Sequence, residues 1–233
     1  MTVTTSGPDP EDLTARARIR DAALQHFGEH GFERATIRGI AETAGVSSGL
    51  VRHHFGSKQE LREVCDTYLT KMIRRLNDQV RADTVPGDVN YVALGRVALG
   101  PHQQYLVRAL TEGWAAPVFD ELVELGEQWL AEADAKRPDP PYAERKVRAA
   151  LGVAMALSVP ILHRQLSRAM GFDVFSPEGD HLLARAMLDI YSHPILSPEE
   201  AAEMRDALDK IHGTPPRAER VTAIRQDEEH DHD

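Results

Sequence analysis

Three observations on this 233-residue sequence predict an all-α fold. Apolar residues recur at three- and four-residue steps in nearly every interval, the period of a helix with one buried face. No stretch alternates apolar and polar residues and then reverses through a hairpin turn. Gly, Pro and Ser-Pro pairs punctuate the chain at intervals that suit helices. Within that class the pattern divides into a flexible N-terminus at 1–12, a three-helix domain at 13–60, a larger helical domain at 61–212 and a disordered, polar tail at 213–233.

The first helix is expected over about Pro10–His30, with Ile19, Ala22, Ala23 and Phe27 as its buried stripe and Gly31 as its stop. Two short helices follow. Ile37, Ile40, Ala41 and Ala44 carry the first; Gly45 supplies the positive φ of a tight turn; and Ser47 caps the second, which runs through Phe55. Ser57 and Glu60 stand at capping-box spacing and open a fourth helix to about Arg81, buried along Leu61, Val64, Tyr68, Met72 and Leu76. Pro86-Gly87-Asp88 then interrupts the pattern, and the domain boundary is placed within the fourth helix. Further helices are expected at about 89–99, 101–113, 116–135, 141–170, 177–191 and 198–212.

The pair of short helices has the layout of a helix-turn-helix DNA reader. On the second, Leu50, Val51 and Phe55 take the buried side, leaving Ser48, Gly49, Arg52 and His53 to face outward. Small and donor-bearing side chains suit a major groove. The order Ala35-Thr36-Ile37-Arg38, Ile40-Ala41, Ala44-Gly45-Val46-Ser47, His53-His54-Phe55, Ser57-Lys58 and Glu60-Leu61 resembles the N-terminal domain of TetR-family transcriptional repressors over about residues 15–65. The resemblance implies a DNA-binding domain followed by a ligand-binding and dimerisation domain. It also implies that Arg38, Ser48, Gly49 and His53 approach base edges while Thr36, Arg52 and Lys58 hold phosphates. One position departs from the family pattern: Arg52 stands where a phosphate-touching tyrosine is usual, and arginine can hold a phosphate or read guanine.

A net charge of −10 opposes DNA binding in general, because phosphate neutralisation supplies most non-specific affinity. Its distribution weakens the objection. Residues 1–60 hold seven Lys/Arg against eight Asp/Glu, a net of −1, so −9 falls on the rest. From Thr36 to Lys58 the acids reduce to Glu42, against Arg38, Arg52, Lys58 and two histidines. With no apolar run near the ~18 residues of a membrane span and no basic-then-apolar N-terminus, the chain is expected to be cytoplasmic and unanchored. The lone Cys65 excludes an internal disulfide and a multi-cysteine zinc site, leaving an inert position or a redox sensor. The terminal Asp-Glu-Glu-His-Asp-His-Asp reads as solvated charge; no metal and no cofactor is expected.

In the second domain, the stripe Val147, Leu151, Ala154, Ser158, Ile161, Gln165, Leu166 and Ala169 needs a partner, and the next helix offers Leu182, Leu183, Ala186, Met187, Ile190 and Tyr191. The resemblance implies that this pair meets its twofold mate as a four-helix bundle, with Ala154, Ile161, Leu182, Leu183, Met187 and Tyr191 in the homodimer interface; an intrachain core is the alternative. Pro160 is expected to kink the helix locally. An effector cavity is sought among Tyr105, Arg108, Glu112, Trp114, Phe119, Trp129, His163 and Arg164, with a surface Arg108–Glu112 pair and core tryptophans as the plainer reading.

Gly45-Val46-Ser47-Ser48-Gly49 matches the G-x-S-x-G of serine hydrolases, but a nucleophile elbow needs a strand before it, and here a helix precedes. The sequence therefore predicts a non-enzymatic, dimeric regulator of double-stranded operator DNA, a repressor released by a small-molecule effector. The alternative keeps the DNA-binding unit without small-molecule control.

Overall fold

The computed structural model describes residues 15–82, 99–114, 116–193 and 195–211, and among these the regular structure is helical. The elements are α1 (Ala15–Arg34), α2 (Ile37–Ala44), α3 (Ser48–Phe55), α4 (Lys58–Ala82), a 3₁₀ turn at Gly100–His102, α5 (Gln103–Thr111), α6 (Ala116–Asp134), α7 (Arg145–Ile161), α8 (His163–Met170), α9 (Pro177–Ser192) and α10 (Pro198–Ile211). The helix expected at 89–99 and the tail at 213–233 lie outside the described residues, apart from Leu99. The chain divides into two compact units between Arg185 and Ala186.

Local chemistry sets each early boundary. Gly31, at φ 78°, interrupts α1 three residues before its end. Thr36 caps α2 by accepting from the Gly39 amide at 3.0 Å, and Gly45 closes it in the left-handed region at φ 67°. Ser47 caps α3 through the Leu50 amide at 3.1 Å. At α4 the capping box is reciprocal: the Ser57 amide donates to Glu60 Oε2 at 2.7 Å and the Glu60 amide to Ser57 Oγ at 3.1 Å.

In the first unit, one apolar cluster joins Ile19, Phe27, Ile40, Val51, Phe55, Leu61, Leu69 and Ile73 to Tyr105, Leu106, Ala109, Val118 and Leu125. Its packing is therefore continuous across position 60. Full burial of each large side chain contributes roughly 1.5–3 kcal/mol. Where α1 crosses α5, a Cβ added at Gly28 would lie 2.8 Å from the Tyr105 backbone nitrogen. Farther along, the Arg74 guanidinium on α4 grips buried Glu121 on α6 through Nε at 2.8 Å and Nη2 at 2.7 Å. Arg148 and Arg145 from α7 hold Asp134 at the end of α6, and those hydrogen bonds lower its carboxyl to about 2.

Two expectations are corrected. The segment 141–170 is two helices rather than one with a local kink: α7 and α8 meet at a 70° bend. Pro160 has no amide to give, and Leu162 leaves helical geometry at φ −99°, ψ 17°. His163 Nδ1 donates to the Pro160 carbonyl at 2.9 Å across the break. Leu183, expected at a dimer interface, is only 9% exposed within its own unit and is core.

Replacing Gly28 by alanine forces α1 and α5 apart, because the obstacle is backbone that no rotamer change can clear. We expect a loss of about 1–3 kcal/mol, read as a lowered Tm by circular dichroism. An unchanged Tm would mean that this crossing is slack.

Candidate nucleic-acid interface

On α3 the side toward the core is Val51, fully buried, and Phe55, 5% exposed. The opposite side presents Gly49, Arg52 and His53 to solvent, with Ser48 and His54 half-buried. Two neighbours steady this helix pair: His26 Nε2 and Thr43 Oγ1 lie 2.7 Å apart, tying α1 to α2, and the Arg16 guanidinium stands 5.3 Å from the Phe55 ring centroid. On α2, Thr36 is exposed and uses its hydroxyl oxygen as the helix cap, leaving the hydroxyl proton to donate outward. The Arg38 side chain is 85% exposed, and its Nε donates to Glu42 Oε1 at 2.9 Å.

Lys58 has a different role from the phosphate contact expected of it. Its Nζ donates to three carbonyls, Phe32 at 2.8 Å, Glu33 at 3.2 Å and Ala35 at 3.2 Å, and stands 4.5 Å from the Phe32 ring centroid. An ammonium has three N–H donors. All three are engaged where α1 hands over to α2, so none remains for a phosphate.

The eight residues sought around an effector cavity fall into separate places. Tyr105, Arg108, Glu112 and Trp114 do come together, as a lock on the end of α1. Arg108 donates from Nε to the Gly28 carbonyl at 2.8 Å and from Nη1 to Glu112 at 3.1 Å; Glu112 also accepts from Trp114 Nε1 at 2.9 Å. Tyr105, 1% exposed, donates to Asp66 Oδ1 at 2.6 Å, and Asp66 also faces Arg62 at 3.3 Å. Burial pushes the Asp66 carboxyl up, with the Tyr105 hydroxyl and Arg62 opposing, and burial pushes the Tyr105 phenol up. Cys65 beside them is fully buried and its thiol is likewise raised by burial, so it lacks the thiolate a redox sensor needs.

Phe119 instead borders a small cavity of about 190 Å³ with Leu110, Gly113, Ala116 and Asp120. Trp129 is 44% exposed, donates to Asn77 Oδ1 at 2.8 Å and carries Arg81 over its ring. His163 lies against Phe175, ring centroids 5.3 Å apart, while Arg164 is exposed. A larger open groove of about 630 Å³ lies between α1 and the start of α5, lined by Asp21, Gln25, Glu29, His102 and Gln104 among others. Asp21, Gln25 and Glu29 follow one another at four-residue steps on α1, but a polar stripe of that kind reads as a solvated helix face, and nothing near it in sequence announces His102 and Gln104 opposite.

Ser47, the would-be nucleophile, follows helix α2 and accepts from the Leu50 amide. The strand that an elbow requires is not there.

Comparison with known proteins agrees with this geometry. The profile of bacterial regulatory proteins of the tetR family matches residues 19–65. The HTH-type transcriptional regulatory protein RaaS of Mycobacterium tuberculosis is 36% identical over 140 residues, 59% of this chain and 66% of that one. An HTH-type transcriptional repressor of the same organism is 33% identical over 177 residues, covering 71% of this chain and 81% of that one. In fold, the chain is similar to the fatty acid degradation regulator FadR of Bacillus halodurans, with TM-score 0.57 and 18% identity over 80% of this chain and 99% of that one.

The Lys58 assignment is open to direct measurement. Lys58→Met keeps the stem but strands three carbonyls, and we expect a stability loss of about 1–3 kcal/mol with an unchanged salt dependence of DNA binding. Unchanged stability with a salt slope flatter by about one would return Lys58 to a phosphate.

Proposed function

The chain belongs to the tetR family of bacterial regulatory proteins, and we propose that this DNA-binding transcriptional regulator is a homodimeric repressor that a small molecule releases from a twofold operator. The observation that carries the reading is the capped helix α3, with Val51 and Phe55 in the core and Gly49, Arg52 and His53 outside. Residues 13–60 serve as the reading module, where Arg38, Ser48, Gly49 and His53 meet base edges and Thr36 and Arg52 meet phosphates. Residues 61–212 serve dimerisation and sensing.

Dimerisation rests on uncovered apolar surface. On α7, Val147, Leu151 and Met155, at four-residue steps, are 57%, 62% and 55% exposed, and Ala154 beside them is exposed. In the second unit Leu188, Ile190 and Tyr191 are 70%, 66% and 70% exposed. Patches of this kind mark interfaces. Ala154, Ile161, Leu182, Met187 and Tyr191 stay in the proposed interface; Leu183 leaves it. An effector then needs only to prefer one arrangement of the two reading helices, and a coupling of roughly 1–3 kcal/mol changes operator occupancy several-fold or more.

A second reading, dimerisation without small-molecule control, is favoured by one observation. The cavity beside Phe119, at about 190 Å³, falls below the roughly 300–1,000 Å³ of drug-sized pockets, and the groove of about 630 Å³ between α1 and α5 is an open cleft lined mostly by polar side chains rather than by the apolar walls such pockets have.

Selecting bound fragments from random DNA should yield two half-sites related by a twofold, about one helical turn or a multiple of it apart. Absence of enrichment would overturn the DNA-reading assignment, and sites without symmetry would overturn the twofold operator. Screening metabolites for loss of fluorescence anisotropy on the selected site should find a releasing compound; failure across chemical classes supports the second reading. Leu151→Glu should leave the monomer folded, because the position is open within the chain, yet bury an unpaired charge in the dimer. We expect monomers in sedimentation and at least a tenfold loss of operator affinity; a persistent dimer at low micromolar concentration would place the interface elsewhere.

A further inference from the structure

Arg38 and Glu42 form an i,i+4 pair on α2, joined from Nε to Oε1 at 2.9 Å, with side chains 85% and 66% exposed. Helix stability does not explain it. Arg38 lies in the first turn of α2 and Glu42 in the last, so each charge faces the wrong end of the helix dipole. The order, cation before anion, is also the less favourable one for such pairs. An exposed pair contributes little to folding in any case. Electrostatics argues against Glu42 as well, since it is the only acid between Thr36 and Lys58 and its charge would repel phosphates.

We propose that Glu42 is a specificity-determining, positioning residue that aims the Arg38 guanidinium at a base edge and holds it off the phosphate backbone. The inference rests on the assignment of Arg38 as a base reader. With Nε held by Glu42, only the terminal amino groups of Arg38 remain, and neither has a partner among the described residues. Those two groups match the O6 and N7 acceptors of guanine, end-on. An unheld guanidinium has more choices: it can pair side-on through Nε, swing to a phosphate or sample both, and a phosphate contact carries no sequence information. Glu42 removes the side-on mode and neutralises the charge that draws Arg38 toward phosphate. It thereby lowers affinity for every sequence while raising the ratio between right and wrong ones, which is how specificity is gained through disfavoured alternatives.

The test measures affinities of the full-length protein for the selected operator, its single-base-pair variants and random DNA. Arg38→Ala first identifies the base pair that Arg38 reads. Glu42→Gln should reduce discrimination at that same base pair about three- to fivefold, the scale of an exposed ion pair, while binding to random DNA strengthens. Glu42→Asp keeps the charge but not the reach to Nε, and should lose discrimination without the gain on random DNA. In an Arg38→Ala background Glu42→Gln should no longer change base preference. The inference is overturned if Glu42→Gln leaves discrimination intact, if its effect persists undiminished without Arg38, or if Glu42→Asp behaves as wild type. If Arg38→Ala weakens all sequences alike, the base-reading assignment itself fails and the inference falls with it. Both positions are exposed, so matching melting temperatures confirm that the variants fold.

Discussion

The end of α1 is the constraint on which the first unit depends. Gly31 breaks the helix there, and a broken helix exposes carbonyls that no following amide can satisfy. Two cations from other helices answer them: Arg108 of α5 donates to the carbonyls of Gly28 and Glu29, and Lys58 of α4 to those of Phe32, Glu33 and Ala35. A positive charge at a helix C-terminus is also favoured by the dipole. Because Gly28 has no Cβ, α5 can come close enough for Arg108 to reach. The three reading helices and the helices that follow therefore share one anchored junction, and a displacement of α5 would be felt at α1 and hence at α2.

A buried polar group guards the same junction. Asp66 on α4 is 4% exposed and is met by the Tyr105 hydroxyl and by Arg62, whose Nη1 also donates to the Trp114 carbonyl at 2.5 Å. Burial favours the protonated acid, so the ionised form depends on both partners staying in place. Any movement of α5 that withdraws Tyr105 leaves the carboxylate with poorer compensation. The arrangement tolerates one geometry well and neighbouring ones badly, so it fixes α4 and α5 in one register.

Local signals explain which parts of this were legible in the sequence. Caps and turns are set by residues within four positions of each other: Gly45, Ser47 and the Ser57–Glu60 box could be read directly, and with them the outward side of α3. Pairings across 23 to 80 residues could not. Nothing near Lys58 in sequence announces the carbonyl of Ala35, and Arg108 looked like half of a surface pair with Glu112 because its bond to Gly28, 80 positions away, has no period. The Pro160 signal was read in kind but not in size, since a kink and a 70° break begin with the same missing amide. Leu183 obeys the helical stripe that suggested an interface, and periodicity alone does not say whether a stripe faces its own chain or another. The Arg38–Glu42 spacing is visible in the sequence, but spacing alone does not say that Nε is the atom engaged and that the two terminal amino groups point elsewhere.

Few cations remain on the helix pair to meet DNA, and that shortage bears on the proposed homodimer. Between Thr36 and Lys58, Lys58 is engaged with carbonyls and Arg38 is paired with Glu42, which leaves Arg52 as the one arginine or lysine there without a partner among the described residues. Phosphate neutralisation by so few charges gives weak binding to any duplex, and a chain of net charge −10 adds long-range repulsion. Weak general attraction is an advantage for discrimination, because little affinity is lost to the many wrong sites. It becomes a deficit unless the specific contacts are doubled, and twofold symmetry doubles them without new residues. The apolar stripe on α7 and the sparse charge on the reading helices thus support the proposed homodimer from two independent sides.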